Sequence, residues 1–178
     1  CILKAWRFLT AGRAKEAGNC LTDTGRLMVS LKMEAQAFDR ITGRSLVIQA
    51  FIESFEGNLK GTIEHAAAAL VKLSPTDKVW RAIASIALGD SVGMSGNMDK
   101  ALEKRFEALD DCEKAGNLYL ILLSSVKLAV TLRLRGNLSQ VRELCLKYVS
   151  LAEGRHLSGL PIVGWLKSIL AEVLAETG

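Results

Sequence analysis

Apolar residues recur at helical spacing along almost the whole chain, and the pattern breaks at a few points marked by glycine or proline. Ile2, Leu3, Ala5, Trp6, Phe8 and Leu9 cover most of one helix face and stop before Gly12. A second helix is predicted from Ala14 to about Lys32, with Ala17, Leu21, Leu27 and Met28 apolar; Gly18 and Gly25 each weaken it by about 1 kcal/mol relative to alanine. Met33 to Thr42 reads as a connecting stretch that stays helical or turns once. Leu46, Val47, Ala50, Phe51 and Phe55 then place a helix over Gly43 to Glu56, followed by one from Asn58 to Leu73. Ser74-Pro75 stops it, because proline cannot continue a helix and biases the residue before it away from helical geometry. The next pair covers Asp77 to Ser95 and Asn97 to Ala115, and the one after it Asn117 to Arg135 and Asn137 to about Ala152. A polar loop, Glu153 to Gly159, leads to a last helix from Ile162 to Glu176. No segment alternates with period two for more than a few residues, so the expected fold class is all-α.

The breaks are themselves periodic. Gly57-Asn58, Gly96-Asn97 and Gly136-Asn137 repeat one turn, Gly12-Arg13 is a weaker copy, and Gly178 stands where another would begin, giving intervals of 45, 39, 40 and 42 residues. Spacings of this size mark an array of stacked helix hairpins. Glycine reaches the left-handed conformation that closes a helix, and Asn58, Asn97 and Asn137 can each cap the orphan N–H groups of the helix that follows. The expected units are about 1–32, 43–75, 77–116, 117–159 and 160–178, forming one repeat domain over 1–178. Opening at Cys1 without a methionine and closing inside a unit, the chain is expected to be a fragment of a longer protein.

Seven residues before each turn glycine stand Ala5, Ala50, Gly89, Ala129 and Ala171, a tiny side chain in every copy. Five after it stand Ala17, Thr62, Ala101 and Val141, and twelve after it Thr24, Ala69, Ala108 and Tyr148. Leu88, Leu128 and Leu170 occupy the position eight before, with Lys4 and Gln49 departing from leucine there. These offsets resemble the tetratricopeptide repeat (TPR), in which small residues recur within helix pairs. The period near forty, the Leu- and Ala-rich texture and turns such as Ala115-Gly116-Asn117 between units resemble, more narrowly, the superhelix of MalT-type regulators. The resemblance implies a right-handed α-α superhelix of four to five TPR-like hairpins, and a role as the ligand-sensing, protein-interaction and self-association region of a LuxR-type bacterial transcription regulator. In that family an NTPase module precedes the repeats and a helix-turn-helix domain follows them. Neither a phosphate-loop motif nor a recognition-helix pattern occurs in these 178 residues, so ATP and DNA contacts would belong to other modules.

Composition narrows the classes further. The 23 Lys and Arg are interspersed with 19 Asp and Glu, for a net charge of +4, with no basic block of the kind nucleic acids select. The longest apolar run, Leu118 to Leu134, is interrupted by Lys127 and Arg133 and is too short and charged to cross a bilayer. Cys1, Cys20, Cys112 and Cys145 form no C-x-x-C pair, and His65 and His156 lie far apart, so no metal site is expected. Three of the cysteines fall in apolar helical patterns and read as reduced core residues of a cytoplasmic protein. His65 has no nucleophile or acid set against it by spacing, His156 falls in the polar loop, and Asp110, Asp111 and Glu113 read as a solvated helix face. No enzyme activity and no cofactor are expected.

In TPR arrays the first helices of successive units line a concave groove. By the matching offsets this groove would present Trp6, Arg44, Phe51, Phe55, Asp90, Met94, Arg133, Trp165 and Glu172, with Val47, Ser54, Ile83, Ile86, Val126 and Val130 between them. Such a mixed face suits a peptide, a protein or a small-molecule inducer. Against that, Phe51 and Phe55 at i and i+4 also fit simple packing, and Arg44, Asp90 and Arg133 also fit solvated charges. A homodimer through uncovered apolar ends of the array, a general TPR scaffold that binds a peptide outside transcription, and DNA contact only through another domain complete the expectations.

Overall fold

The computed structural model describes residues 1–31 and 33–177. Among them nine helices follow one another: α1 (Ile2–Thr10), α2 (Ala14–Ser30), α3 (Ala35–Phe55), α4 (Leu59–Lys72), α5 (Lys78–Met94), α6 (Met98–Ala115), α7 (Leu118–Leu134), α8 (Leu138–Gly154) and α9 (Pro161–Thr177). The described residues include no strand. Lys32 and Gly178, where the first and last units were drawn to end, lie outside the described residues.

Each turn glycine takes the left-handed conformation its position demands, with φ of 74° at Gly12, 78° at Gly57, 88° at Gly96 and 75° at Gly136. At Gly57 and Gly136 the next residue's N–H returns to a carbonyl five residues back, Asn58 to Glu53 at 2.9 Å and Asn137 to Leu132 at 3.0 Å, which closes the helix. Asn58 and Asn97 then cap the following helix through Gly61 N–H and Lys100 N–H, and Asn117 caps α7 in the same way through Leu120 N–H. Asn137 occupies the cap position without making a cap bond. Its ψ of 56° departs from the 79° to 103° of the three capping asparagines.

One boundary differs from expectation. Met33 to Thr42 is mostly helix, and α3 begins at Ala35 instead of Gly43. Gly43 is buried inside α3, where a Cβ would come within 2.8 Å of Leu73 Cγ. The glycine serves close approach to the end of α4, and the extra turns of α3 account for the 45-residue interval. At the other end α8 runs on to Gly154, shortening the polar loop, in which His156 sits exposed with φ +57°.

Ala5, Ala50, Ala129, Ala17, Thr62, Ala101 and Val141 are fully buried, as the small-residue offsets require, and Gly89 is buried with them. Ala171 is exposed, with no described helix against it. First helices α1, α3, α5, α7 and α9 bring their backbones close to those of their successors, whereas among the described residues the backbones of the second helices come close only to first helices. This asymmetry puts the first helices on the narrow inner side of a right-handed α-α superhelix. Buried hydroxyls of Thr24, Thr62, Ser91, Ser125 and Thr131 donate back to carbonyls of their own helices or caps, so the core carries them without unpaired donors. Cys112 and Cys145 are fully buried thiols, which burial pushes up to about 12 and about 11 respectively, so they pack as small apolar residues.

The acidic run on α6 is not a uniformly solvated face. Asp110 pairs with Lys114 on its own helix, but Asp111 accepts from Ser85 of α5 at 2.6 Å. Glu113 accepts from Lys147 and from the buried Tyr148 hydroxyl of α8, at 2.9 and 2.8 Å. Side-chain bonding, from Lys147 first and Tyr148 second, holds the Glu113 carboxyl below its ordinary 4.5. A carboxyl depressed in the folded state stabilises the fold above its unfolded value, and that contribution is lost as pH falls through the folded value. Glu113→Gln should therefore lower the melting temperature at pH 7, with the gap to the parent protein closing as the buffer is taken below 4.5. Leu128, fully buried at the middle of α7, should cost about 2 to 5 kcal/mol when changed to alanine in urea unfolding. Val71→Ala on the exposed side of α4 should stay within about 0.5 kcal/mol.

Candidate functional site

The predicted groove residues lie on the inner helices, but they divide into packed, paired and open positions. Trp6 and Phe51 are half-buried. Trp6 stands edge-on to Phe51 at 5.9 Å and to Trp80 at 5.3 Å, so α1, α3 and α5 are joined by an aromatic cluster rather than opened by one. Phe55, four residues beyond Phe51, is 63% exposed. Met94 and Leu134, each like Phe55 two residues before a turn glycine, are 64% and 73% exposed, so each of the three middle units presents one large apolar side chain there. Trp165 is 60% exposed and shares with Tyr119, Leu123 and Pro161 a cleft of about 220 Å³ between α7 and α9.

The charged positions are not simply solvated. Arg44 of α3 donates through Nε to Asp77 Oδ2 at 2.8 Å, with its guanidinium 5.6 Å from the centre of the Trp80 ring. Asp90 of α5 accepts from Lys127 Nζ of α7 at 2.5 Å. Arg133 of α7 pairs with Glu172 and, at 3.2 Å, with Glu176 of α9. From α3 onward every junction between successive first helices thus carries an ion pair. These pairs are partly exposed, so each is worth at most about 1 kcal/mol. Their consistency is in placement, at least one at each of these junctions.

Three participants escaped the sequence reading: Trp80, Lys127 and Arg105. Arg105 is the most unusual. Nine residues after the turn glycine the other units hold Leu21, Ala66 and Cys145, apolar residues that fill the hairpin. In the third unit Arg105 fills it instead, along a slot opened by two glycines of α5. A Cβ on Gly89 would stand 3.2 Å from Arg105 Cγ, and one on Gly93 would stand 3.2 Å from Nη2. The guanidinium emerges between α5 and α7, where Nη1 donates to the Lys127 carbonyl at 2.5 Å and Nη2 lies 3.5 Å from Asp90 Oδ1. Its Nε is buried, and no hydrogen-bond partner for it lies among the described residues. A signal was present in the sequence: arginine at an otherwise apolar offset, opposite Gly89 and Gly93.

His65 Nδ1 is buried 4.0 Å from Glu53 Oε1, and no partner for it lies among the described residues. The Glu53 carboxylate accepts from Gln49 and Asn58, bonds that hold it below its ordinary value, with Gln49 the larger cause. No group of three His, Cys, Asp or Glu side chains among the described residues is arranged to hold a metal ion. No helix among them is long and apolar enough to cross a membrane.

An array of helix hairpins with its first helices inside and a mixed apolar and charged inner face defines a helical repeat protein of the TPR kind. The chain belongs to the MalT-like TPR region family, whose pattern matches residues 43–178. In structure it is similar to the apo form of RapI, with a TM-score of 0.77 and 11% identity over 99% of this chain and 62% of that one. It therefore spans less than two thirds of the length of RapI. It is also similar to the TPR-like repeats of a Podosopora anserina putative kinesin light chain, with a TM-score of 0.65 and 16% identity over 99% of this chain and 84% of that one. At these identities both likenesses speak for the fold alone. No curated protein matches the chain in sequence. The domain is a TPR-type interaction domain, and repeat folds of this type are generally non-catalytic scaffolds.

Gly89 also serves the close approach of the α6 backbone, but a Cβ at Gly93 would meet the Arg105 guanidinium first, so the cost of substituting Gly93 should depend on Arg105. Gly93→Val should destabilise the protein by about 1 to 3 kcal/mol through overpacking. In an Arg105→Met background that cost should shrink, giving a coupling energy above about 0.5 kcal/mol in a double-mutant cycle measured by denaturant unfolding.

Proposed function

We propose that this superhelix is the ligand-sensing and partner-binding region of a MalT-like, LuxR-type transcription regulator acting in the cytoplasm. The observation that carries the reading is the MalT-like family match over 43–178. The inner face that exposes Phe55, Met94, Leu134 and Trp165 beside charged groups supports it. Binding there would work by population shift: an effector that prefers one superhelix curvature, or one self-associated state such as a homodimer, changes the balance between them. The region itself would use no cofactor and catalyse nothing; ATP and DNA would be handled by an NTPase and a helix-turn-helix module elsewhere in a longer chain. A second reading is a TPR scaffold that docks a peptide or protein outside transcription, which the TPR-like fold shared with RapI and the kinesin light chain repeats accommodates equally.

A thermal-shift screen separates the two. A metabolite that binds only the folded protein at about 100 times its Kd adds about 2.7 kcal/mol. For a chain of this size that raises the melting temperature by about 5 to 10 °C. The regulator reading expects such a shift from one sugar, nucleotide or amino acid, reduced by Trp165→Ala or Phe55→Ala. No shift with any of them, together with saturable peptide binding lost in the same variants, would establish the scaffold instead.

A further inference from the structure

The middle of the inner face carries more positive charge than its own residues neutralise. On α5 the charged side chains are Lys78, Arg81 and Asp90, and on α7 they are Lys127 and Arg133, with no acid on α7 at all. Arg81 is committed to the carbonyls of Leu70 and Leu73, and Arg133 to Glu172 and Glu176. Asp90 is left as the single carboxylate between two cations, Lys127 at 2.5 Å and Arg105 at 3.5 Å. Stability does not call for this arrangement. Apolar residues close the same hairpin position in the other units, and replacing a buried ionic group by an apolar one of similar volume is often neutral or stabilising. The fold instead keeps a glycine slot whose result is to bring a guanidinium from the outer helix α6 to the inner surface.

Resting on the reading of the inner face as a binding groove, we propose that Lys127 and Arg105 form an anion-recognition point for the carboxylate of an acidic side chain in a bound peptide. Lys127 and Asp90, on neighbouring first helices, are both partly exposed, so their charged ends are open to a ligand. Met94 lies one turn beyond Asp90 on α5, and Val130 and Leu134 lie one and two turns beyond Lys127 on α7; all three are exposed. All three lie on one side of the cation pair, toward the C-terminal ends of α5 and α7, so an acidic residue with apolar ones to one side of it matches the surface in both chemistry and order. The charge count selects a carboxylate. Asp90, Arg105 and Lys127 sum to a single positive charge, so one carboxylate brings this poorly solvated cluster to neutrality, whereas a doubly charged phosphate would leave it negative.

The test is fluorescence anisotropy of the whole chain with three labelled synthetic peptides that share one apolar framework and carry Glu, Gln or Lys at one end of it. The Glu peptide should bind about tenfold more tightly than the Gln peptide, and the Lys peptide more weakly than either. Added salt should weaken the Glu peptide alone. Lys127→Met should erase the Glu preference, making the Glu and Gln peptides bind alike, and Asp90→Asn, which removes the internal competitor, should enlarge it. Melting temperatures establish that each variant folds, and Lys127→Met leaves Asp90 paired with Arg105. Equal binding of Glu and Gln peptides, or a preference that survives Lys127→Met, would sink the anion point while leaving the groove standing. Tighter binding of a phosphoserine peptide than of the Glu peptide would overturn the carboxylate assignment. Failure of all the peptides to bind would overturn the groove reading along with the proposal.

Discussion

Each hairpin in this protein depends on the close approach of two antiparallel helices at a point where the side chains have almost vanished. Ala5, Ala50, Gly89 and Ala129 on the first helices, with Ala17, Thr62, Ala101 and Val141 on the second, are buried in every complete unit. With little volume between the backbones, the helices come near enough for the flanking larger residues to interdigitate. A left-handed glycine at the corner holds the pair antiparallel. A hairpin of this kind cannot bury its whole apolar surface by itself, so units stack, and the stack acquires an inside and an outside.

From that constraint the functional surface follows. Successive first helices bring their backbones together, while second helices meet at most through long side chains, as Glu113 does with Lys147 and Tyr148, so whatever the first helices do not bury against one another faces the inner side. Two kinds of residue remain there. Phe55, Met94 and Leu134 form an exposed apolar series at the helix ends, and Arg44, Asp90 and Arg133 are engaged across unit junctions with Asp77, Lys127 and Glu172. The apolar series offers area to a partner. The ion pairs, weak individually in partly exposed surroundings, give that area a fixed pattern of charge.

The third unit breaks the regularity in one place, and the break is structural as well as electrostatic. Arg105 passes through a hairpin that the other units fill with Leu21, Ala66 or Cys145, and α5 accommodates it with Gly89 and Gly93. Glycine inside a helix costs about 1 kcal/mol relative to alanine, so two of them on one helix form a substantial local concession. Its effect is an inner face that is positive at the centre, where Lys127 and Arg105 share Asp90.

The sequence by itself determined the helices, their pairing and the repeat, because those depend on local rules: apolar spacing, left-handed glycine, capping asparagine and a tiny residue at a constant offset. Even there, Gly43 was misread as a helix start, since a glycine that admits Leu73 looks locally the same as one that ends a segment. Which groove residues are open was decided only by tertiary structure. Phe51 and Phe55 sit on one helical stripe, yet Trp6 packs on the first and nothing covers the second. Arg44, Asp90 and Arg133 were legible as charges on an inner face but not as ion pairs, because their partners lie 33 to 39 residues away on neighbouring units. Spacing along one helix carries no information about which side chain a stacked neighbour will bring opposite, and that juxtaposition is set by the superhelix.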